Sequence, residues 1–155
     1  MKASDFVKAF ATGAVEAYNE YGIYPSAILC QAALESAWAT SAIYLKTNNL
    51  FGVTKGGGAS NEWWDGTTYL STSGLTFRKY SSARNSIMDF ARIIKTNYPS
   101  AASVSSDINA YAYAISNSSY ISESNGDNRS GYEKGLKSIY STLKSYIENI
   151  DLKKK

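Results

Sequence analysis

The sequence predicts a mainly α-helical domain with a small β-hairpin lobe, and three observations support this fold class. Apolar residues recur at helical spacing along several segments, a central stretch is rich in Gly, Thr, Trp and Tyr, and 44% of the 155 residues are hydrophobic. A chain of this length can bury one core, and no repeat or linker divides it. We therefore predict a single domain over residues 1–155, with the β lobe at about 55–80 and a basic tail at 151–155.

The N-terminal part of the chain predicts two helices. The first spans about Ser4–Tyr21 and ends at Gly22, a residue type that favours helix ends. The second begins at Pro25 or Ser26, because proline suits the first turn of a helix. Its sequence, SAILCQAALESAWATS, has few polar residues, so we expect this helix to run through the core with Glu35 at its middle.

The central stretch EWWDGTTYLSTSGLTF follows three glycines and predicts a loop and a small hairpin. A lobe set beside helices leaves a cleft between them. Beyond it, Ser81 or Ser82 is predicted to cap a helix that Pro99 closes. A short helix should then run from Asp107 to about Ser116.

The last helix is predicted over roughly Gly131–Ile150. Its apolar face consists of Tyr132, Leu136, Ile139, Leu143, Ile147 and Ile150. The polar segment before this helix, SNSSYISESNGDNRSG, predicts a loop.

Composition excludes several kinds of chemistry. The chain has no histidine and one cysteine, so it cannot supply the Cys/His sets of zinc sites or a His-activated nucleophile, and we predict no metal or cofactor. Cys30 lies in an apolar run and should be buried and unreactive. The net charge of +3 comes largely from the C-terminal lysines, which argues against nucleic acid binding. The N-terminus shows no apolar run typical of an export signal or a membrane span. Separately, we expect the protein to be a monomer.

Glu35 is the strongest candidate for a catalytic group. It stands among apolar residues, which raise the pKa of a carboxyl group because the charged form loses solvation. A carboxyl that stays protonated near neutral pH can act as a general acid toward a poor leaving group. The alternative is a glutamate on the solvated face of a buried helix.

Two motifs, AALESAW at 32–38 and NNLFGV at 48–53, resemble glycoside hydrolase family 73. This family is the endo-β-N-acetylglucosaminidase domain of bacterial autolysins, flagellar-rod-cap hydrolases and phage lysins. FRKYSS at 77–82 stands where the family has FRxYSS, and YISE at 120–123 where it has Tyr-x-Thr-Asp. The resemblance covers roughly residues 4–147. It implies a lysozyme-like fold with a substrate cleft, and cleavage of the β-1,4 bond after N-acetylglucosamine in the glycan strand of peptidoglycan.

The resemblance also implies roles for individual residues. Glu35 would be the catalytic acid and Tyr120 an active-site tyrosine. The floor of the cleft would include four residues of the second motif, namely Asn48, Asn49, Phe51 and Gly52. Without the resemblance, the same motif reads as a tight turn that positions one hydrophobic side chain.

The sequence departs from the family at the second acid. Members often carry a Thr-Glu-Tyr pattern before FRxYSS, but TTYLSTSGLTF contains no carboxylate. Glu62 and Asp65 are the nearest acids, and Glu123 matches the acidic position of the later pattern. Two mechanisms stay open: Glu62 or Asp65 activates water, or the 2-acetamido group of the substrate attacks while Tyr120 orients it.

Aromatic residues crowd the predicted lobe. Trp63, Trp64 and Tyr69 either stack on sugar rings or pack the lobe itself. Because successive side chains of an extended segment alternate faces, at least one tryptophan should point outward.

Two rival functions remain. A lytic transglycosylase or muramidase also uses one glutamate followed by serine, but it normally carries a GLMQ-like turn where this chain has NNLFGV. A catalytically inactive wall-binding or virion structural domain would keep the fold. We expect the chain to act on the bacterial cell wall, in the periplasm, outside the cell or delivered by a phage. With no export signal visible, the route would be a phage holin, a virion, a larger assembly or removal of a leader sequence.

Overall fold

The computed structural model of the chain describes residues 1–56, 59–122 and 128–153. Within these residues, seven helices accompany one two-stranded antiparallel sheet, so the predicted mainly α fold with a small β lobe is confirmed. In chain order the elements are α1 (Ala3–Tyr21), α2 (Pro25–Glu35), α3 (Ala42–Thr47), β1 (Thr68–Leu70), β2 (Thr76–Arg78), α4 (Ala83–Asn97), α5 (Pro99–Ala102), α6 (Ile108–Ser116) and α7 (Arg129–Lys153). None of the described helices combines the length and the apolarity needed to cross a membrane.

Helix α2 is the central element of the helical part. It packs against α1, α6 and α7, and its residues from Pro25 to Ala33 are all buried. Burial on every side explains why the sequence showed few polar residues here. The largest buried side chains around it belong to several helices and include Phe6, Ile28, Leu29, Phe51, Phe90, Tyr111 and Leu136. Cys30 is buried, as predicted.

The prediction that α2 continues past Glu35 was wrong. The helix ends at Glu35, and Ala37, Trp38 and Ala39 adopt left-handed backbone conformations with φ of 50°, 59° and 62°. Ser36 stabilises this end, since its hydroxyl donates to the Ala32 carbonyl at 2.6 Å and accepts from the Ala39 amide at 2.9 Å. Alanine is a strong helix former and rarely adopts positive φ, so composition gave no sign of the break.

The turn after α2 is held by tertiary packing. The Trp38 amide donates to the Ala33 carbonyl at 2.9 Å, and the Trp38 ring packs edge-on against Phe6 of α1 at 5.5 Å. The chain then enters α3, which the sequence did not predict. As a result, Glu35 lies at the C-terminal end of α2 rather than at its middle.

The β lobe is a hairpin in which Thr68 pairs with Arg78 and Leu70 with Thr76. A bridge between Thr54 and Phe77 joins the hairpin to the loop that follows α3. The predicted helix caps are confirmed: the Ser82 hydroxyl accepts from the Asn85 amide at 3.1 Å, and Asp107 caps α6. Helix α4 ends before Pro99, which begins the short α5, and α7 extends beyond both predicted ends.

Candidate active site

A cavity of about 920 Å³ lies between the β lobe and the helices. Its walls come from distant parts of the chain, including Glu35 of α2, Phe51 and Gly52, Phe77 and Arg78 of β2, Phe90 and Arg92 of α4, Tyr120, and Tyr132 of α7. The cavity therefore brings together four residues of the sequence-predicted site: Glu35, Phe51, Gly52 and Tyr120.

Glu35 is half-buried and held by α7. The Tyr132 hydroxyl donates to Glu35 Oε2 at 3.1 Å. A close approach of the two helices makes this contact possible, because a Cβ on Gly135 would lie only 3.3 Å from Leu34 Cδ1. The glycine thus lets α7 come near the end of α2, one turn of α7 away from Tyr132.

Tyr120 occupies the cavity wall near the same carboxyl group. Its ring packs edge-on against Phe90 and Tyr98, with centroids 6.3 and 5.4 Å away. Burial and, next, the nearby Glu35 charge raise the pKa of Tyr120 well above 10, and the same two causes raise the pKa of Tyr132. Both tyrosines are therefore neutral hydroxyl donors over the physiological pH range.

Gln31 lies one helical turn before Glu35 and is fully buried. Its Oε1 accepts a hydrogen bond from the buried Tyr111 hydroxyl at 2.5 Å. Its buried Nε2 makes no hydrogen bond of good geometry within the described chain, yet the amide is the neighbour that lowers the pKa of Tyr120. The Gln31 amide therefore lies close to the Tyr120 hydroxyl.

Some residues of the NNLFG segment line the cavity, and others stabilise the backbone behind it. Phe51 stacks on Phe90 at 3.8 Å and lines the cavity with Gly52, whose φ is 62°. Asn49 is buried behind them, where its amide nitrogen donates to the carbonyls of Val53 and Arg78, each at 2.9 Å. Neither Asn49 nor Asn48 is part of the cavity lining. Asn48 instead ends α3, and its amide donates to the Tyr80 carbonyl at 3.0 Å.

A buried charge cluster lies behind another part of the cavity wall. The fully buried Asp89 carboxylate accepts from Arg78 Nη1 at 3.0 Å and from Arg92 Nε and Nη2 at 3.0 and 2.8 Å. It also accepts from the Tyr80 hydroxyl at 2.5 Å and from the Asn61 amide at 3.1 Å. Burial, and then the Asp89 charge, raise the pKa of Tyr80. The cluster fixes the β lobe to α4.

The three lobe aromatics considered for sugar stacking, Trp63, Trp64 and Tyr69, do not line the cavity. Trp64 is buried beneath Arg78, whose guanidinium lies 4.1 Å from the ring centroid, and its Nε1 donates to the Thr67 carbonyl at 2.7 Å. Trp63 is half-buried against α1, where its Nε1 donates to the Tyr21 hydroxyl at 2.6 Å. Tyr69 accepts from Lys46 Nζ at 3.1 Å.

The candidate second acids are not brought beside Glu35 by the described residues. Glu62 and Asp65 are exposed and do not line the cavity. Hydrogen bonds from Thr67 lower the pKa of Asp65. Glu123 lies outside the described residues. Among the described residues that line the cavity, Glu35 is the one carboxylate, and no group of three or more metal-ligating side chains occurs in the described ranges.

Sequence reasoning missed three residues of the site. Tyr132 was assigned only to the apolar face of the last helix, although it is the one hydroxyl-bearing residue on that face. Gln31 is the one polar side chain within AILCQAAL, and its spacing of four from Glu35 places both on one helix face. Arg92 carried no signal that distinguished it from a surface arginine.

Comparisons with known proteins agree on one family. A family profile for glucosaminidases, described as mannosyl-glycoprotein endo-beta-N-acetylglucosaminidase, matches residues 11–146. An autolysin of Enterococcus faecalis is 32% identical over 60% of this chain, and an exo-glucosaminidase, LytG, of Bacillus subtilis is 34% identical over 57%. A probable N-acetylmuramidase of Lactococcus lactis is 31% identical over 59%. These matches cover only 13%, 33% and 22% of the relatives' own lengths.

Solved structures show the same fold. The glycoside hydrolase domain of FlgJ from Salmonella typhimurium superposes with a TM-score of 0.70 at 27% identity, covering 97% of this chain and 93% of that domain. The catalytic domain of the autolysin Auto from Listeria monocytogenes gives a TM-score of 0.66 at 23% identity, covering 97% and 86%. The lysozyme-like fold expected from the sequence motifs is therefore confirmed.

Proposed function

Because the chain belongs to the glucosaminidase family of glycoside hydrolases, we propose that it hydrolyses the β-1,4 bond after N-acetylglucosamine in the glycan strand of peptidoglycan. Its substrate lies outside the bacterial cytoplasm, so the chain acts at the cell wall. Glu35 is the general acid that protonates the oxygen of the leaving sugar.

The observation that carries this proposal is the Glu35 carboxyl on the cavity wall, oriented by Tyr132. Because Oε2 accepts the hydrogen bond from Tyr132, the transferable proton of the acid form belongs on Oε1. Glu35 is also the last residue of α2, where the negative end of the helix dipole disfavours a further negative charge. Both features support an acid that donates its proton to the substrate.

The second catalytic group is the 2-acetamido group of the substrate. This route is supported by the exposed positions of Glu62 and Asp65, outside the cavity lining. The attacking carbonyl oxygen of the acetamido group forms a bond to the anomeric carbon while the glycosidic bond breaks, and water then opens the cyclic intermediate. Tyr120, a neutral donor in the cavity wall, orients the acetamido group.

One observation favours a second candidate bond. The relatives include two probable N-acetylmuramidases of Lactococcus lactis beside the exo-glucosaminidase of Bacillus subtilis. A muramidase would use Glu35 in the same way but would cut the bond after N-acetylmuramic acid. A lytic transglycosylase would leave anhydromuramic ends, and an inactive wall-binding domain would release nothing.

Mass spectrometry of fragments released from purified peptidoglycan, and reduced with borohydride after release, decides between these activities. We expect reduced N-acetylglucosamine at the new ends. The matched control is Glu35→Gln, which keeps the side-chain shape and should lower release at least about a hundredfold. Near-normal release by a folded Glu35→Gln protein would contradict the assignment of the acid, and reduced N-acetylmuramic ends would favour the muramidase.

A further inference from the structure

The cavity wall carries more positive than negative charge around Asp89. Two guanidinium groups, those of Arg78 and Arg92, share this one buried carboxylate. Both arginines line the cavity, whereas Asp89 does not. Among residues 1–56, 59–122 and 128–153, Asp89 is the one carboxylate that pairs with these two arginines, so the cluster carries one excess positive charge there.

The two arginines differ in what they can offer a ligand. The Arg78 side chain is only 7% exposed, its Nη1 and Nη2 are bonded to Asp89 and the Lys55 carbonyl, and its plane covers Trp64. The Arg92 side chain is 29% exposed. Asp89 accepts from Arg92 Nε and Nη2, and Nη1 has no hydrogen-bond partner in the described chain. Arg92 is thus fixed on one side and open on the other.

We propose that Arg92 binds a carboxylate of the substrate and makes the cavity selective for an acidic glycan. This inference rests on the proposed function. A guanidinium held by a buried carboxylate loses little conformational freedom when it binds an anion, and charge-assisted hydrogen bonds are the strong ones. Peptidoglycan presents carboxylates on alternate sugars, through the lactyl ether or through the stem peptide attached to it. A polymer of N-acetylglucosamine presents none.

Replacing Arg92 should not disturb the buried Asp89 carboxylate. Asp89 is fully buried behind the guanidinium groups and keeps hydrogen bonds from Arg78, Tyr80 and Asn61 when Arg92 is changed. The charge of Arg92 can therefore be removed without leaving Asp89 unpaired. An Arg92 variant should therefore change ligand binding without destabilising the β lobe.

The test compares Arg92→Met with Arg84→Met, a matched loss of one arginine from the same helix. Arg84 pairs with Glu16 on the surface and does not line the cavity. Steady-state kinetics would be measured on three soluble glycans: strands with stem peptides, strands stripped by an amidase so that only lactyl carboxylates remain, and neutral N-acetylglucosamine oligomers. For Arg92→Met we expect KM to rise about tenfold or more on a carboxylate-bearing glycan, with kcat nearly unchanged.

The three glycans identify the source of the carboxylate. A KM effect that persists on the stripped strands assigns the lactyl group, and one confined to intact strands assigns the stem peptide. On neutral oligomers Arg92→Met and wild type should agree. Wild-type KM should also rise with salt more steeply than that of the variant. Arg92→Lys, which keeps the charge but not the planar fork, provides a second variant with an intermediate KM.

Two results overturn the proposal and are distinguishable. If wild type cleaves the strands and Arg92→Met matches Arg84→Met on all three glycans, the carboxylate subsite is wrong while the proposed function stands. If wild type cleaves no glycan, the proposed function fails and the subsite fails with it.

Discussion

The Tyr111 hydroxyl donates a hydrogen bond to Gln31 Oε1 at 2.5 Å, and this contact fixes which way the Gln31 amide points. With Oε1 occupied by Tyr111, the free group of the Gln31 amide is the Nε2 donor, which lies near Tyr120 and makes no hydrogen bond within the described chain. We therefore predict that Gln31 is a positioning residue. A donor beside the Tyr120 oxygen should favour the orientation in which Tyr120 donates into the cavity.

Gln31→Leu should lower kcat about tenfold and leave KM nearly unchanged, because the direction of the Tyr120 hydroxyl matters in the transition state. The same variant should lose about 1–3 kcal/mol of stability, since the buried Tyr111 hydroxyl loses its acceptor. The double variant with Tyr111→Phe should regain stability but not kcat. Kinetics and urea denaturation measure both effects, and a normal kcat for folded Gln31→Leu contradicts the role.

Substrate assistance predicts that no carboxylate other than Glu35 is indispensable. Glu62→Gln, Asp65→Asn and Glu123→Gln should each retain measurable turnover on a soluble glycan fragment. Tyr120→Phe should reduce kcat more than any of them, because it loses the donor to the acetamido group. Circular dichroism controls for folding. If one acid variant is as inactive as Glu35→Gln while Tyr120→Phe stays active, that acid is the missing base.

The two lobe tryptophans should respond differently to removal. Trp64→Ala should cost about 3 kcal/mol or more, because the ring is 3% exposed and supports the Arg78 guanidinium. Trp63→Ala should cost less, since that ring is only half-buried. Chemical denaturation measures the difference. Equal stability losses would contradict the expected difference in packing. A loss of glycan binding by a stable Trp64→Ala protein would favour sugar stacking, the alternative to lobe packing that the sequence left open.

Alkaline pH should destabilise the fold. The pKa values of Tyr80, Tyr111, Tyr120 and Tyr132 are raised, chiefly by burial, so the folded state keeps protons that the unfolded chain releases. Their contribution to stability is complete below the ordinary tyrosine pKa of about 10 and is lost as pH rises above it. Buried Tyr80 and Tyr111 should each contribute a slope of up to ~1.4 kcal/mol per pH unit.

Tyrosinate absorbance and denaturation between pH 8 and about 11.5 provide the check. We expect some of the 13 tyrosines to ionise only as the far-ultraviolet dichroism is lost. Full ionisation near pH 10 with native dichroism would show that the raised values are wrong.

Periodicity predicted α1, α4 and α7 well because each has one apolar and one solvated face, and Asp107 predicted the start of α6. It failed at α2, where burial on all sides removes the pattern and where the break after Glu35 depends on Ser36 and on Trp38 packing against Phe6. The tryptophan prediction assumed an extended strand. The segment is instead a turn, in which Asn61 Oδ1 accepts from the amides of Trp63 and Trp64 at 2.8 and 3.2 Å.

Local motifs indicated Glu35, Phe51, Gly52 and Tyr120. They did not indicate the residue that orients Glu35 or the arginine that places positive charge on the cavity wall. Tyr132 contacts Glu35 across 97 positions, and Arg92 is held by Asp89 of its own helix but lines a cavity whose other walls come from distant segments. A single sequence carries little information on such tertiary arrangements. Gln31 could have been found from its spacing to Glu35.

The contact between Tyr132 and Glu35 joins residues 97 positions apart and depends on the close fit of Gly135 against Leu34. The contact can form only when α7 docks against α2, because nearly the whole chain separates the two residues. In any partly folded form in which α7 has not docked, Tyr132 is therefore not in place to orient the Glu35 carboxyl group. We therefore expect activity to require docked α7, because a nascent or misfolded chain carries Glu35 without the hydroxyl that orients it.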